Sequence, residues 1–386
     1  MEAHPDTRIT RIRSRVLDLP LAAEFRPAWG RGEVQKSFFM TVVEVETEAG
    51  ITGVSGAEAR SETALAIDRF VTPHLVGRDA CAPEQLTAIL QDSEVLGPPV
   101  YCVESALWDI AGKAAGLPVY KLWGAAVDRV PAYCATGEVR SPERRVEDCR
   151  RIAAEGFKAV KLRFHSDDPR DDIRVVEAVR KALGDGLVIL VDANQAGLAP
   201  GFGGHRQWSF RIAVDVALQL EQLGVVWLEE PLRRHDHAGL RRLRDKLGTL
   251  QLAGGENNHG VAEFKLLIER GCYDILQPDA VLSEGVYQIR KIAALAEAAG
   301  MAVAPHTWTH GIGLMANLHL VASIPNHSWF EFPHEPPGWP AAALSQMIAP
   351  KPWIDSQGCV ALPDGPGFGL TLDEELVERH TVARFG

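Results

Sequence analysis

The fold is decided by a series of short segments that share one pattern: LVILVD (187–192), VVWLE (225–229), QLAGGE (251–256), ILQPD (275–279), AVAPH (302–306) and WFE (329–331). Each segment contains a short apolar run that leads to Asp, Glu or His. Stretches with helical periodicity, such as Ala213 to Leu223 and Val286 to Ala299, lie between them. Apolar strands that alternate with amphipathic helices are typical of a parallel β-sheet built from strand–helix units. The pattern therefore predicts an α/β fold with a barrel.

The polar residues at the strand ends are expected to meet. In a closed barrel of this kind, residues just beyond the C-terminal ends of the strands line a single mouth. The strand-end residues here are Asp192, Glu229, Glu256, Asp279, His306 and Glu331. Carboxylates and an imidazole around one cavity predict an active site.

The chain of 386 residues has room for such a barrel, which takes about 250 residues, and for a smaller domain. Residues 1–125 are predicted to form that α+β domain, because Ile9 to Leu19 and Phe38 to Thr47 alternate like half-buried strands and helical segments follow. Residues 126–335 are predicted to form the barrel. Residues 336–386, rich in Pro and Gly, are expected to pack back on the first domain.

Two connecting segments are candidates for contact with a ligand at the mouth. Ala22 to Gln35 lies between the first two predicted strands and carries Trp29. It is either a surface linker or a lid over the barrel mouth. Ala193 to Trp208 is a long, glycine-rich connection, and loops of this length are more often functional or disordered than structural.

Composition excludes several classes of protein. A formal net charge of −11 argues against a general nucleic-acid binder, which needs clustered Lys and Arg. The six cysteines are scattered without a C-x-x-C pair, which indicates buried thiols in a reducing compartment. The N-terminus is polar and interrupted by Pro5, and no apolar run is long enough to span a membrane. We expect a soluble cytoplasmic protein with no membrane partner, and a homo-oligomer, because acidic barrels often assemble.

Three of the strand-end acids form a candidate metal site. Asp192, Glu229 and Glu256 follow three consecutive predicted strands and can converge on one point. Oxygen ligands without a thiolate suit a hard divalent cation, so Mg²⁺ is expected, with Mn²⁺ as the alternative. Each acid alone could instead stabilise the start of the next helix. Glu230 is expected to point away from the site, because side chains alternate along a strand.

The remaining polar residues predict proton transfer. A histidine beside an aspartate, as in His306 and Asp279, is suited to act as a general base or acid, although a strand-end His can also be a core residue. Lys161 is expected either to lose its proton near the cation or to bind a substrate carboxylate. Arg163 stays protonated and is expected to donate to an anion, and Glu331 either contacts a substrate carboxylate or is structural. A metal and a base together suit removal of a proton next to a carboxylate.

The motifs that carry these residues resemble the enolase superfamily, in its mandelate racemase / muconate lactonising branch. They are SALWDIAGK (105–113) followed by Leu117-Pro118, VDAN (191–194), LEEP (228–231), GEN (255–257), QPD (277–279) and His306. The resemblance covers nearly the whole chain. It implies a modified TIM barrel, (β/α)₇β, with an N-terminal α+β capping domain whose loops contact the substrate. Trp29 and Asn194 are therefore further candidates for substrate binding.

One residue departs from the family pattern. The family often carries Lys-x-Lys on the second barrel strand, with the second lysine as a base, and here that position is Arg163. Racemisation requires a base on each face of the substrate carbon, whereas dehydration can proceed with His306 alone. We therefore expect a Mg²⁺-dependent dehydratase (a hydro-lyase) of a sugar acid, an aldonate or aldarate, that yields a 2-keto-3-deoxy acid. A racemase, epimerase or lactone cycloisomerase is the alternative; a non-catalytic binder and a metal-dependent hydrolase are disfavoured.

Overall fold

The structure of the chain is a computed structural model that describes residues 6–30, 32–58, 61–197, 207–309 and 311–386. The middle of the predicted long connection, residues 198–206, lies outside the described residues. None of the helices in the described ranges has the length and the apolar run that crossing a lipid bilayer requires.

The strands in chain order are β1 Ile9–Phe25, β2 Gln35–Thr47, β3 Thr52–Ala57, β4 Arg129–Ala135, β5 Ala159–Arg163, β6 Val188–Asp192, β7 Trp227–Glu229, β8 Gln251–Gly254, β9 Ile275–Leu276, β10 Ala302–Val303, β11 Phe330–Pro333, β12 Ile348–Ala349, β13 Cys359–Ala361, β14 Thr371–Leu372 and β15 Thr381–Phe385. The helices are α1 Ser61–Ala66, α2 Thr72–Leu75, α3 Pro83–Ser93, α4 Cys102–Ala115, α5 Val119–Leu122, α6 Pro142–Ala154, α7 Pro169–Leu183, α8 Phe210–Gln222, α9 His237–Arg244, α10 Gly260–Arg270, α11 Val286–Ala298, α12 Gly311–Ser323, α13 Ala341–Leu344 and α14 Glu374–His380.

The N-terminal strands form an antiparallel sheet in the order β15-β1-β2-β3. The two predicted strands pair as β1 and β2, β3 extends them into a meander, and the last strand of the chain pairs with the other edge of β1. One face of this sheet packs against α3 and α4 through a buried apolar cluster that includes Ile12, Val43 and Leu107. The sheet and its helices together cover the barrel, and we call them the cap.

The first strand is longer than its sequence pattern indicates. The alternation predicts a strand that ends at Leu19, whereas β1 continues to Phe25. Pairing with β2 runs through Pro20 opposite Ser37, and after an irregularity it resumes with Phe25 opposite Gln35. The pairing of β1 with β15 ends at Leu17, so Pro20 lies where β1 is an edge strand, a position that tolerates proline. The loop that carries Trp29 is correspondingly shorter than predicted.

The barrel strands are parallel and follow the order β10-β9-β8-β7-β6-β5-β4-β11. The last strand of the barrel, β11, pairs with the first strand of the barrel, β4, with Phe330 opposite Ala132. Helices α6 to α12 alternate with these strands along the chain. This arrangement confirms the predicted modified TIM barrel, (β/α)₇β, with an N-terminal α+β capping domain.

Local sequence signals start and end the barrel helices. Ser141 accepts a hydrogen bond from the backbone N–H of Arg144, and Pro142 occupies the first turn of α6. In the next unit Asp168 caps α7 in the same way, and the helix ends at Gly184, whose φ of 60° suits glycine.

The barrel strands point alternate side chains inward and outward. Ala159, Leu190 and Trp227 belong to a buried cluster inside the barrel, whereas Val160 and Leu162 belong to the cluster beneath the helices. Lys161 and Arg163 share the face of Ala159 and therefore lie inside the barrel. The strand pattern thus places two cations on the side where the strand-end acids gather.

Asp109 of α4 joins the cap to the C-terminal segment. This fully buried carboxylate accepts hydrogen bonds from the backbone N–H groups of Val54 (2.8 Å) and Phe368 (2.7 Å). The ammonium group of Lys113, one turn further along α4, donates to the same carboxylate at 2.7 Å. The SALWDIAGK motif therefore fixes the position of the cap relative to the segment that follows the barrel.

Candidate active site

The three acids predicted to bind a metal converge. Asp192 and Glu229 end the neighbouring strands β6 and β7 and lie opposite each other in the parallel register. Glu256 follows β8 after a turn at Gly255, whose φ of 129° and close contact with Phe264 exclude a side chain. One carboxylate oxygen from each acid lies within 4.8 Å of the others. Among the described residues this is the one group of three or more potential ligands with that geometry.

Burial makes this convergence electrostatically costly. Asp192 and Glu229 are almost completely buried. Burial raises the pKa of Asp192 although Arg163 and Lys161 oppose it, and burial together with Asp192 raises the pKa of Glu229. A bound cation would relieve both effects. The donor set consists of carboxylate oxygens alone, which fits a hard divalent cation.

Lys161 forms a buried ion cluster with the acids. Its ammonium nitrogen lies 2.9 Å and 3.1 Å from the two oxygens of Glu229 and 2.6 Å from Glu331 Oε1. It also lies 3.8 Å from Asp192. Burial would lower the pKa of Lys161, but Glu229 and Glu331 outweigh that and raise it. Of the two roles expected for Lys161, proton loss near a cation and binding of a carboxylate, the acids around it favour the charged form that the second requires.

Glu331 is held on both of its oxygens. Oε1 contacts Lys161, and Oε2 accepts the backbone N–H of Thr307 at 2.8 Å. Burial would raise the pKa of Glu331, but Lys161 and His306 lower it. The ion pair with Lys161 makes Glu331 a counter-charge to that ammonium group.

Arg163 is fixed by hydrogen bonds and by two indole rings. Its Nε donates to the backbone oxygen of Thr136 at 2.6 Å, and its Nη1 donates to Asp192 and, at 3.2 Å, to Asn194 Oδ1. The guanidinium carbon lies 4.9 Å from the ring centre of Trp29 and 5.1 Å from that of Trp308. These contacts keep the side chain charged and in one orientation.

His306 and Asp279 form the predicted dyad. His306 Nδ1 lies 2.9 Å from Asp279 Oδ2, so the ring donates to the carboxylate from this nitrogen. The opposite nitrogen, Nε2, lies 3.2 Å from Glu256 Oε2. Burial would lower the pKa of His306, but the carboxylates of Glu256, Glu331 and Asp279 outweigh it and raise the pKa to about 10.

A cavity of about 320 Å³ lies between the barrel mouth and the cap. From the barrel, its lining includes Arg163, Glu256 and His306. Trp29 and Glu58 line it from the cap. The cavity therefore brings the base candidate, one acid of the candidate metal site and the cap loop around one space.

Glu230 lies at this cavity and not on the far side of the strand as the alternation indicates. The strand β7 ends at Glu229, and Glu230 has a φ of 47°, so the alternation stops there. Its carboxylate accepts a hydrogen bond from Asn257 Nδ2 at 3.3 Å. Pro231, which follows directly and disfavours continuation of a strand, is the sequence signal that the strand-alternation argument overlooked.

The predicted site residues thus fall into three connected groups. Lys161 joins Glu229 and Glu331; Arg163 joins Asp192, Asn194 and Trp29; and His306 joins Asp279 and Glu256. The sequence-based prediction did not include Gln35, Glu58, Asn257 and Trp308, which also line the cavity. Gln35 and Glu58 come from the cap, and no local pattern marks them.

Comparison with known proteins agrees with this architecture. The model of the mandelate racemase / muconate lactonizing enzyme N-terminal domain matches residues 23–124, and the model described as enolase C-terminal domain-like matches residues 144–376. The 3,6-anhydro-alpha-L-galactonate cycloisomerase of Streptomyces coelicolor is 28% identical over 97% of this chain and 99% of its own length. The arabinonate dehydratase of Saccharolobus solfataricus is 28% identical over 91% of this chain and 92% of its own.

A solved structure shows the same fold. L-talarate dehydratase from Polaromonas sp. JS666, crystallised with Mg and L-glucarate, superimposes with a TM-score of 0.83 at 29% identity and covers 98% of both chains. The chain is therefore an enzyme of the enolase superfamily and belongs to its mandelate racemase / muconate lactonizing enzyme branch.

Proposed function

We propose that the chain is a Mg²⁺-dependent dehydratase of a sugar acid, an aldonate or an aldarate. It would remove the proton next to the carboxylate and the hydroxyl group on the following carbon, and yield a 2-keto-3-deoxy acid. The observation that carries this proposal is an asymmetry. His306 offers a nitrogen at the cavity, whereas Lys161 is enclosed by acids and Arg163 is a permanently charged guanidinium.

The ligands of the candidate metal site support Mg²⁺ as the cofactor. Asp192, Glu229 and Glu256 would hold Mg²⁺, with Mn²⁺ as the alternative, because both are hard cations that prefer oxygen ligands. L-talarate dehydratase from Polaromonas is a structure with bound Mg. When bound, the cation supplies positive charge that offsets the acids and the negative charge that develops on the substrate carboxylate.

The protein side chains would carry the proton. A cation held by Glu256 would offset the carboxylate that does most to raise the pKa of His306, so the ring could then be neutral at Nε2. His306 Nε2 would accept the α-proton while Asp279 holds the ring through Nδ1. The C–H electrons form a double bond to the neighbouring carbon, the bond from that carbon to its hydroxyl oxygen breaks, and His306 returns the proton to release water. The enol that remains takes up a proton at the β-carbon, loses the proton of its enol hydroxyl group to solvent, and becomes the keto acid.

The other residues would hold charge and substrate. Arg163 and Asn194 are positioned at the cavity to donate to an anionic or hydroxylated ligand, and Trp29 closes over Arg163 from the cap. Lys161 forms ion pairs with Glu229 and Glu331, so its contribution to catalysis would be charge and not proton transfer.

A second candidate is a lactone cycloisomerase or an epimerase. It is favoured by one specific observation, the full-length similarity to the cycloisomerase of Streptomyces coelicolor. Both candidates begin with removal of an α-proton. They differ in whether a hydroxyl group leaves as water.

The proposal is tested with a panel of aldonates, aldarates and sugar lactones in D₂O with Mg²⁺. Formation of a 2-keto-3-deoxy acid, followed by proton NMR, is the expected result. An isomerised product without keto acid would instead identify the second candidate. Absence of any α-proton exchange across the panel would contradict both.

The metal assignment has its own test in the variant Glu256→Gln. We expect metal affinity and kcat to fall together by more than roughly 100-fold, since even a hydrogen-bonding partner of a ligand is worth about 10- to 100-fold. Calorimetry with Mg²⁺ measures the affinity, and circular dichroism checks the fold. Glu269→Gln, an exposed acid of α10, is the matched control. Full activity of Glu256→Gln would remove it from the ligand set.

We further propose a division into a cap (1–125), a barrel (126–335) and a C-terminal segment (336–386), together with a homo-oligomeric assembly in the cytoplasm. The matched family models, which end at residue 124 and begin at residue 144, support the first boundary. Size-exclusion chromatography with light scattering tests the assembly.

A further inference from the structure

Asn317 is a fully buried amide in a helix that is buried on every side. The helix α12 has the sequence GIGLMANLHLVAS, and all of its residues are buried. A side-chain amide in such surroundings is unfavourable unless its donors and its acceptor are paired. The partners of Asn317 therefore indicate why the helix carries an amide at this position.

Those partners belong to the segment that carries the dyad aspartate. Asn317 Oδ1 accepts the backbone N–H of Ala280 at 3.0 Å, and Nδ2 lies 3.2 Å from Asp279 Oδ1. Because a backbone N–H can only donate, the amide oxygen faces Ala280 and the amide nitrogen must face Asp279. The amide thus donates to the carboxylate whose other oxygen contacts His306.

The same carboxylate is held by its own loop. Asp279 Oδ1 also accepts the backbone N–H of Val281 at 2.9 Å. Ser283 Oγ accepts the backbone N–H of Asp279 at 3.0 Å and donates to the backbone oxygen of Glu256 at 2.8 Å. The backbone of the Asp279 loop is thereby joined to the residue that supplies one acid of the candidate metal site.

The contact with Ser283 fixes where the backbone of Asp279 lies but does not by itself set the orientation of the carboxylate. Val281 contacts one oxygen from the loop, and Asn317 contacts the same oxygen from α12. Donors from two different elements on one oxygen define the plane of the carboxylate. The second oxygen is then directed at His306 Nδ1.

We propose that Asn317 is a positioning residue for the reaction: it holds the Asp279 carboxylate so that His306 keeps Nδ1 protonated and presents Nε2 to the cavity. This rests on the proposed function, because it presupposes that His306 moves the α-proton. Asn317 is not among the described residues that line the cavity, so it acts through Asp279 and not on the substrate.

The test compares Asn317→Leu with Ser323→Ala. Leucine has nearly the size of asparagine and removes both hydrogen bonds. Ser323 is a buried residue of the same helix that donates only to the backbone oxygen of Leu320, which makes it a matched control. We expect Asn317→Leu to lower kcat by roughly 10- to 100-fold, with KM and Mg²⁺ affinity nearly unchanged. Ser323→Ala is expected to keep kcat.

A second readout does not depend on turnover. Nitrogen-15 NMR of the histidine side chains reports which ring nitrogen carries the proton. The His306 signals are assigned as those that disappear in the single variant His306→Asn. Asn317→Leu should shift or broaden the Nδ1–H signal of His306, and Ser323→Ala should not. If Asn317→Leu does not fold, Asn317→Ser, whose side chain is shorter and cannot span to Asp279, is expected to show the same changes.

The outcomes separate this inference from the proposed function. An unchanged kcat and an unchanged His306 signal in a folded Asn317 variant would overturn the role of Asn317 and leave the dehydratase proposal intact. A fall in kcat that is accompanied by equally weakened binding of substrate and metal would indicate a general structural role, and would also overturn the positioning role of Asn317. If the wild type turns over no sugar acid, the proposed function fails, and the NMR comparison still decides whether Asn317 orients the dyad.

Discussion

His306 and Lys161 contact the same group of acids, but the acids hold them in different ways. The imidazole is supported from behind by Asp279, and its other nitrogen faces Glu256 at the cavity. The ammonium group is enclosed by Glu229 and Glu331 and is absent from the described lining of the cavity. A titratable group with one nitrogen at the cavity is suited to move a proton, whereas an enclosed cation is suited to hold charge.

The strands that carry the two groups add to this difference. Lys161 and Arg163 lie on β5, inside a network of charge-assisted hydrogen bonds and indole contacts. His306 follows β10, where a loop and a helix support its partner. At the position where the family often carries a second lysine, Arg163 lines the cavity and is held by hydrogen bonds and an indole ring. The predictions below test this, beginning with the largest expected effect.

Replacement of His306 by asparagine should abolish the proton transfer that we assign to its imidazole. We expect kcat to fall by roughly 10²- to 10⁴-fold, the usual contribution of a general acid–base group, while Mg²⁺ binding persists. Steady-state kinetics and calorimetry measure the two quantities. His327→Asn, whose imidazole contacts the backbone of Ile324, is the control. Turnover near the wild-type rate would show that another group takes the proton.

Replacement of Lys161 by methionine should act mainly on stability. It leaves Glu229 and Glu331 buried without their cation, and loss of one partner from a buried ion pair costs about 3 to 5 kcal/mol. Denaturant unfolding of the metal-free protein measures the change. The exposed Lys121, 4.0 Å from Asp364, gives the control Lys121→Met, for which we expect about 0 to 1 kcal/mol. Equal effects of the two changes would contradict a buried ion cluster.

Replacement of Arg163 by lysine tests whether a second base can be restored. The ammonium group cannot reproduce the bond to Thr136, the bonds to Asp192 and Asn194 and the indole contacts together, so kcat/KM should fall roughly tenfold or more, as expected for losing hydrogen bonds of about 1.5 to 3 kcal/mol. Any inversion at the α-carbon, followed by deuterium incorporation into recovered substrate, should appear in this variant and not in the wild type. Inversion by the wild type would favour an epimerase.

Replacement of Trp29 by alanine should have the smallest effect. It removes one indole from Arg163, a contact worth about 0.5 to 1 kcal/mol, so the ratio of kcat/KM between two sugar acids should change about two- to fivefold. Trp353→Ala, a half-exposed tryptophan that packs on Phe332 and His334, is the control. Unchanged ratios across the substrate panel would make the Trp29 loop a linker.

The sequence predicts the strand-end residues well, because each lies at the end of an apolar run or shortly after it. The convergence of Asp192, Glu229 and Glu256 follows from the geometry of parallel strands alone. The orientation of Glu230 does not, because alternation holds only within a strand and β7 ends one residue earlier. The end of β1 is also not predictable from the local sequence, since pairing with β2 determines where the strand stops.

Contacts between distant segments are harder to predict. The state of Lys161 depends on two acids that lie 68 and 170 residues further along the chain, and nothing near Lys161 indicates them. Glu58 reaches the cavity from the cap, and Asn317 reaches Asp279 from the interior of an apolar helix. Such residues become visible only when the packing of the elements is known.

The indole rings around Arg163 have a practical consequence. Trp29 belongs to the cap and Trp308 to the barrel, and their ring centres are 4.8 Å apart. Indole fluorescence responds to the polarity of its surroundings and to nearby charges, so a molecule that enters the cavity should change the emission of this pair. Tryptophan fluorescence can therefore be used to screen sugar acids for binding before any product is known.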